Sequence, residues 1–217
     1  MGSGPEDARR RPRSEGRGRE KNGWVGRLRD MAASVKTPFT GDAAADALLT
    51  ENPLALMLGM LLDQQVPMEW AFGAPAVLRS RLGGTLDAPT IAAMSPDAVE
   101  AIFRAKPALH RYPGSMAKRA HSLCVFLVEH YGGRAEAVWA DVGSGEELLE
   151  RVRALPGFGN DKARIFVGLL GKRMGVRPPG WEEAAADWPS IADVDTFERV
   201  AEIREKKKAA KAAKSKS

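Results

Sequence analysis

The sequence predicts an all-α protein, a compact bundle of about eight to ten short helices, on three observations. Apolar residues recur at helical spacing through most of residues 42–205. Alternating Val/Ile/Thr runs and Asn-Gly turns, the marks of strands and hairpins, are absent. Capping residues, prolines and glycines punctuate the apolar stretches at helix-length intervals.

The elements follow in order. Asn52-Pro53 reads as an N-cap with proline at the first helical position and opens a helix over Leu54–Gln65, with Met57 and Met60 as core fillers. Met68–Leu82 comes next and is stopped by Gly83-Gly84; Trp70 and Phe72 on it read first as core. Ser95-Pro96 opens a helix through Arg104. Ser115–Tyr131 is long, carries Leu123, Phe126, Leu127 and His130 at core spacing, and ends at Gly132-Gly133. Ser144-Gly145-Glu146-Glu147 is a capping box for Glu146–Ala154. A helix over Asp161–Lys172 follows, and a last one starts near Asp193–Thr196, where either Asp193 or Asp195 suits the N-cap. The stretch Met174–Ser190 holds Pro178, Pro179, Pro189, Trp181 and Trp188. It is too long for a plain connector, so it is a packed loop or a functional one.

Composition bounds the function. The chain has 217 residues, 44% of them hydrophobic, enough for a sizeable core. A lone cysteine, Cys124, excludes a disulfide framework and a four-thiolate cluster. His110, His121 and His130 have no ligand spacing with it, so no metal and no cofactor are expected; His110, in a basic loop, is placed to meet phosphate. No apolar run reaches the roughly 18 residues of a membrane span, and the N-terminus lacks the apolar core of a secretory signal. The expectation is a soluble cytoplasmic protein with no membrane partner, a monomer by default.

The formal net charge of +5 belongs to the ends of the chain. Residues 1–36 hold ten cations and five anions, and residues 201–217 hold seven and two. The middle is therefore acidic, with 16 cations against 21 anions. Three segments are expected: a basic, largely disordered tail over 1–36, a helical domain over 37–205, and a Lys/Ala-rich tail over 206–217 able to extend a helix. Within the acidic domain the cations cluster. Residues 101–128 hold Arg104, Lys106, Arg111, Lys118 and Arg119 with no acid, and 151–177 hold seven cations against Asp161 alone. Two such stretches side by side make a positive face suited to phosphate and nucleic acid; alternation of ordinary solvated helix faces is the other reading.

The segment richest in chemistry is Leu155-Pro156-Gly157-Phe158-Gly159-Asn160-Asp161-Lys162-Ala163. Gly157 and Gly159 allow a tight turn with positive φ, and the helix beginning at once behind it points unpaired N–H groups and a positive dipole end outward. That is a phosphate site, with Lys162 and Arg164 nearby to add charge and Leu155 and Phe158 to anchor it. The same spacing also reads as a simple glycine connection between antiparallel helices.

This segment resembles the hairpin of helix-hairpin-helix DNA-binding proteins, Leu-Pro-Gly-apolar-Gly before the second helix. Its surroundings resemble the base-excision DNA glycosylases built on that hairpin, here without an iron–sulfur cluster. Leu61-Leu62-Asp63-Gln64-Gln65 is similar to the end of that superfamily's first core helix, and Tyr112 through Lys118-Arg119-Ala120 to its aromatic-then-Lys-Ala segment. The match runs in register over roughly residues 46–172.

The resemblance implies a DNA-repair function on double-stranded DNA carrying damaged bases. It gives Gln65, with Gln64, the role of filling the gap left by a flipped nucleotide. It gives Gly157, Phe158 and Gly159 the phosphate hairpin, with Arg111, Lys118, Lys162 and Arg164 as further DNA contacts. The family's lyase lysine does not carry over: its place is taken by Asp161, and Lys162 stands about 100° further round the helix. A monofunctional glycosylase acting on a damaged, perhaps alkylated, base is therefore expected. Val194-Asp195-Thr196 is similar to the family's Val-Asp-Thr-His, with Phe197 in place of the histidine. Gly159 to Asp195 spans 36 residues, longer than in that family. Asp195 and Asp193 are thus the candidate catalytic acids. Trp70, Phe72, Trp181 and Trp188 are candidates for stacking on bases. The alternatives are a non-catalytic protein of the same fold binding distorted DNA or a repair partner, and an unrelated helical interaction protein.

Overall fold

Asn52 ends one helix and starts the next. It closes α1 (Ala43–Glu51) and caps α2 (Pro53–Leu62), its side-chain oxygen accepting from the Ala55 N–H at 3.0 Å while its amide donates to the Leu86 carbonyl at 3.0 Å. The chain bends 112° there. Every residue of α2 from Leu54 to Leu62 is buried, which makes this helix the axis of the fold. Burying one such Leu or Met stabilises by roughly 1.5–3 kcal/mol. The structure, a computed structural model, describes Met1 and residues 37–214.

Around α2 are packed α3 (Met68–Arg81), α4 (Ala88–Ala92), α5 (Pro96–Arg104), the long α6 (Pro113–Tyr131), α7 (Gly145–Arg153), α8 (Asn160–Arg173), the short α9 (Trp181–Ala184) and α10 (Glu198–Lys214), with 3₁₀ turns at Ala135–Val138 and Ile191–Asp193. The described residues contain ten α-helices and no strand, so the all-α expectation holds. Helix α3 lies along α2, α4 and α5 pack on α6, and α8 packs on α7, α9 and the Ile191–Asp193 turn. Phe39 leads into α1 and meets Phe72 of α3 edge to face at 5.1 Å. No single helix among the described residues is long and apolar enough to cross a membrane.

Five differences from the sequence expectation have physical causes. First, α2 stops at Leu62 instead of continuing to Gln65; Pro67 disfavours helix just before it, and Gln64 is held by partners outside the helix. Second, α1, α4 and α9 carry too few residues for a readable period. Third, the expected capping box of α7 is half made: Ser144 accepts from the Glu147 N–H at 3.1 Å, but the Glu147 carboxylate takes the Gly143 N–H at 2.8 Å and pairs with Arg151. Fourth, neither Asp193 nor Asp195 caps the last helix, which begins at Glu198; Asp193 instead accepts from the Ser190 N–H at 2.9 Å. Fifth, α10 runs through residues 205 and 206 without a break. The expected disorder of residues 1–36 lies outside the described residues.

The 174–190 stretch is a packed loop. The Pro179 carbonyl accepts from Gly145, Ala186 donates to the Arg164 carbonyl, and Trp181 lies so close over Gly171 that an added Cβ would meet its ring at 2.1 Å.

Candidate nucleic-acid interface

The site is built on the exposed C-terminal end of α2, whose last carbonyls have no helical partner. The Lys162 ammonium of α8 donates to the carbonyls of Met60 and Leu61 at 2.6 and 2.9 Å. The Leu61 carbonyl also accepts from the Gln64 side-chain amide at 2.7 Å. Arg119 of α6 donates to the other end of that amide at 2.6 Å. The turn after α2 is thus braced from two helices.

His110 completes the brace. The Tyr112 N–H donates to its Nδ1 at 3.0 Å, so Nδ1 is unprotonated and the proton sits on Nε2, which donates to the Gln64 carbonyl at 3.0 Å. Burial pushes the ring's pKa down, its bonds to the backbone of Gln64 and Leu62 oppose that, and the Lys162 charge adds to the lowering. The ring is 1% exposed, which corrects the expected phosphate contact: His110 works beneath the surface.

On this frame Gln65 is exposed and held at φ +56°, a left-handed backbone that a side-chain-bearing residue adopts at a cost. The Tyr112 hydroxyl lies 3.5 Å from the Gln65 amide oxygen. Arg111 sits over the Tyr112 ring at 5.4 Å, and Arg111, Lys118 and Arg119 are all exposed around the turn.

The glycine hairpin joins α7 to α8 beside this turn. Gly157 takes φ +87°, and an added Cβ there would strike Leu61 Cδ1 at 2.4 Å, so the hairpin sits directly on the end of α2. Gly159 differs from expectation: its φ is −71°, and it begins α8 with open space where a side chain would stand. No side chain caps α8, so its first-turn N–H groups have no side-chain acceptor. Leu155 and Phe158 are buried, with Phe158 edge to face on Phe166 at 5.5 Å.

Three proposed DNA contacts are therefore corrected. The Phe158 side chain anchors the hairpin from below because the turn points it into the core. Lys162 is turned under the end of α2 by two carbonyl acceptors. Arg164, one helical step round, donates to the Ala185 carbonyl at 2.7 Å and lies over Trp188 at 5.0 Å, facing the 181–190 segment. Gln64, Gln65, Arg111, Lys118, Gly157 and Gly159 are the ones brought to one end of α2.

The two candidate acids lie elsewhere. Asp193 pairs with Lys172 at 2.5 Å, in the last turn of α8, while the hairpin is at its first; the 14-residue helix spans about 20 Å. Burial raises the Asp193 pKa, but the Lys172 ammonium and the Ser190 N–H outweigh it and hold the carboxyl below its usual range. Asp195 is exposed and pairs with Arg199 at 3.0 Å. Two residues on, Phe197 lies on Gly41, where an added Cβ would touch its ring at 2.9 Å.

Sequence reasoning missed two groups. Trp70, expected in the core, is 42% exposed, because the turn before α3 rotates it outward 6.4 Å from the His110 ring; Phe72 takes the core position instead. Glu69 beside it bonds Arg204 of α10 through Oε1, and its Oε2 is buried without a partner. Among the described residues no His/Cys/Asp/Glu group is arranged to hold a metal ion. No family model matches the chain, and no curated protein matches it.

Proposed function

We propose that this protein is a DNA glycosylase of base-excision repair, hydrolysing the N-glycosidic bond of a flipped, damaged base without a lyase step. The observation that carries the reading is the meeting of two features at one helix end. Gln65 stands out from a braced turn at φ +56°, and the glycine hairpin is seated on Leu61 next to it. A backbone phosphate fits the uncapped first turn of α8, where N–H groups and the helix dipole favour an anion. Arg111, Lys118 and Arg119 add charge to the same face.

A glycosidic bond inside the base stack is out of reach, so the base must be swung out, and a side chain entering the gap offsets part of the unstacking cost. Gln65 is short, polar and rigidly mounted, which suits that task. Lyase chemistry needs a free amine beside the sugar. The Lys162 ammonium is held by two carbonyls, which supports hydrolysis alone. A carboxylate would stabilise the positive charge that develops on the sugar, and Asp195, exposed beside the Phe197–Gly41 contact, is the residue proposed for it.

The test is base release from duplexes carrying alkylated purines, hypoxanthine, uracil or 8-oxoguanine, read with and without alkali. Strand breaks only after alkali, lost in Asp195→Asn, are the expected result. A second reading, non-catalytic recognition of distorted DNA, is favoured by one observation: both Asp193 and Asp195 are ion-paired. Tight, salt-dependent binding to abasic duplex with no release on any lesion would replace the first reading by the second.

A further inference from the structure

A groove of about 380 Å³ opens beside the Gln65 turn, between α1, α3 and the residues before His110. Thr40, Asp42, Glu69, Trp70, Val77 and Leu109 are among its lining residues. It neighbours the turn through His110, whose ring lies 6.4 Å from that of Trp70 and whose Nε2 bonds the Gln64 carbonyl.

Its chemistry is opposite to that of the surrounding basic surface. The only charged side chains lining it are Asp42 and Glu69. Asp42 caps α1 through the N–H groups of Ala44 and Ala45. Glu69 bonds Arg204 through Oε1 and leaves Oε2 buried without a donor, which costs free energy until one arrives. Trp70 is 42% exposed, and an indole face attracts a flat cation. An anionic ligand is excluded by this lining; a flat ring that carries positive charge and N–H donors matches it.

We infer that this groove receives the flipped base and selects a cationic one, a purine alkylated on a ring nitrogen, with Trp70 stacking on it and Glu69 accepting its N–H. The inference rests on the proposed glycosylase reading, because that reading supplies the flipped base. Trp70 and Glu69 are specificity-determining residues in it. The volume fits a single nucleobase or nucleoside and is too small for a peptide helix.

The experiment titrates the full chain with 7-methylguanosine, whose methylated ring is cationic, and with guanosine, following tryptophan fluorescence. The methylated nucleoside is expected to bind about tenfold more tightly. Trp70→Phe should remove most of the quenching, and Glu69→Gln should keep the quenching but erase the preference. Equal binding of the two nucleosides, or a preference untouched by both variants, overturns the inference. Thermal melting of each variant shows whether loss of the Arg204 contact has unfolded it, and Trp70→Phe, which leaves that contact intact, decides the case if so. Binding of wild type to an abasic duplex is measured alongside. If it is absent, the glycosylase reading fails; if it is present with no nucleoside preference, only the groove assignment fails.

Discussion

The ammonium of Lys162 reaches across 101 residues of sequence to the carbonyl oxygen of Leu61, 2.9 Å away. With the Met60 carbonyl as second acceptor, it closes the end of the central helix from the helix behind the hairpin. One side chain thereby fixes the spacing between the hairpin and the Gln65 turn.

Lys162→Met keeps the stem and removes the charge. Losing two charge-assisted bonds to part-buried carbonyls should cost about 2–3 kcal/mol, read as a lower denaturation midpoint. Because the wild-type amine is already bonded, borohydride reduction should trap no covalent complex between the protein and abasic DNA. A trapped complex that disappears in Lys162→Met would overturn the assignment of Lys162 as a brace.

The two hairpin glycines separate folding from binding. Gly157→Ala forces a side chain onto φ +87° and into Leu61, so it should destabilise by about 1–3 kcal/mol. Gly159→Ala meets open space at an ordinary φ and should leave the melting temperature nearly unchanged. If α8 receives a phosphate, the Gly159 methyl stands in its approach, and duplex affinity should fall about tenfold, roughly one phosphate contact. Unchanged affinity in Gly159→Ala would argue against the hairpin as a DNA contact.

Gln65 is a second place where stability and function oppose each other. Gly at φ +56° relieves backbone strain, so Gln65→Gly should be neutral or stabilising, by up to about 1 kcal/mol. The same change removes the side chain proposed to fill the flipped-out gap. Its affinity for an abasic duplex should drop toward that for intact DNA, measured by competition at fixed salt. A variant that is more stable and still discriminates would sink the wedge.

How much of this was legible in the sequence depended on the range of the interaction. Asn52-Pro53, Ser95-Pro96 and Gly132 are local signals, and the helices they bound appear where those residues place them. The end of α2 was misplaced by three residues because its stop is set by Lys162, Arg119 and His110, all distant in sequence. The outward face of Trp70 follows from that stop and was hidden with it. Glycine spacing marked the hairpin, yet only the fold reveals that Gly157 is a packing requirement and Gly159 an open one. Basic residues were visible as clusters, but which are occupied by carbonyls, as Lys162 and Arg164 are, is a tertiary fact.

The two aspartates should part company on substitution. Asp193→Asn weakens the Lys172 pair at a half-buried corner and should lower stability by roughly 1 kcal/mol. Asp195 sits in an exposed pair one helical turn from Arg199, so Asp195→Asn should cost no more than about 0.5 kcal/mol. Under the glycosylase reading, Asp195→Asn loses base release with the fold intact, and Asp193→Asn keeps it. Release that survives both substitutions would remove both from the chemistry.

His110 gives the fold a pH dependence whose sign is fixed by its burial. Its folded pKa lies below the ordinary 6.5, because burial disfavours the charged ring and Lys162 adds to that, against the bonds to Gln64 and Leu62. Below 6.5 the unfolded chain takes up a proton that the folded chain does not, so stability falls as pH drops from there toward the folded value. Above 6.5 this contribution is complete and flat. Within the window the slope from this one site is at most about 1.4 kcal/mol per pH unit. Protonation also takes away the Nδ1 lone pair that accepts the Tyr112 N–H, so the Gln65 turn and duplex discrimination should loosen over the same range. His110→Gln cannot titrate and should be less stable at neutral pH but flatter below it. Denaturation midpoints of both proteins across pH 5–8, about the ordinary histidine range, check this. Parallel curves would show that the ring at position 110 is not the group responsible.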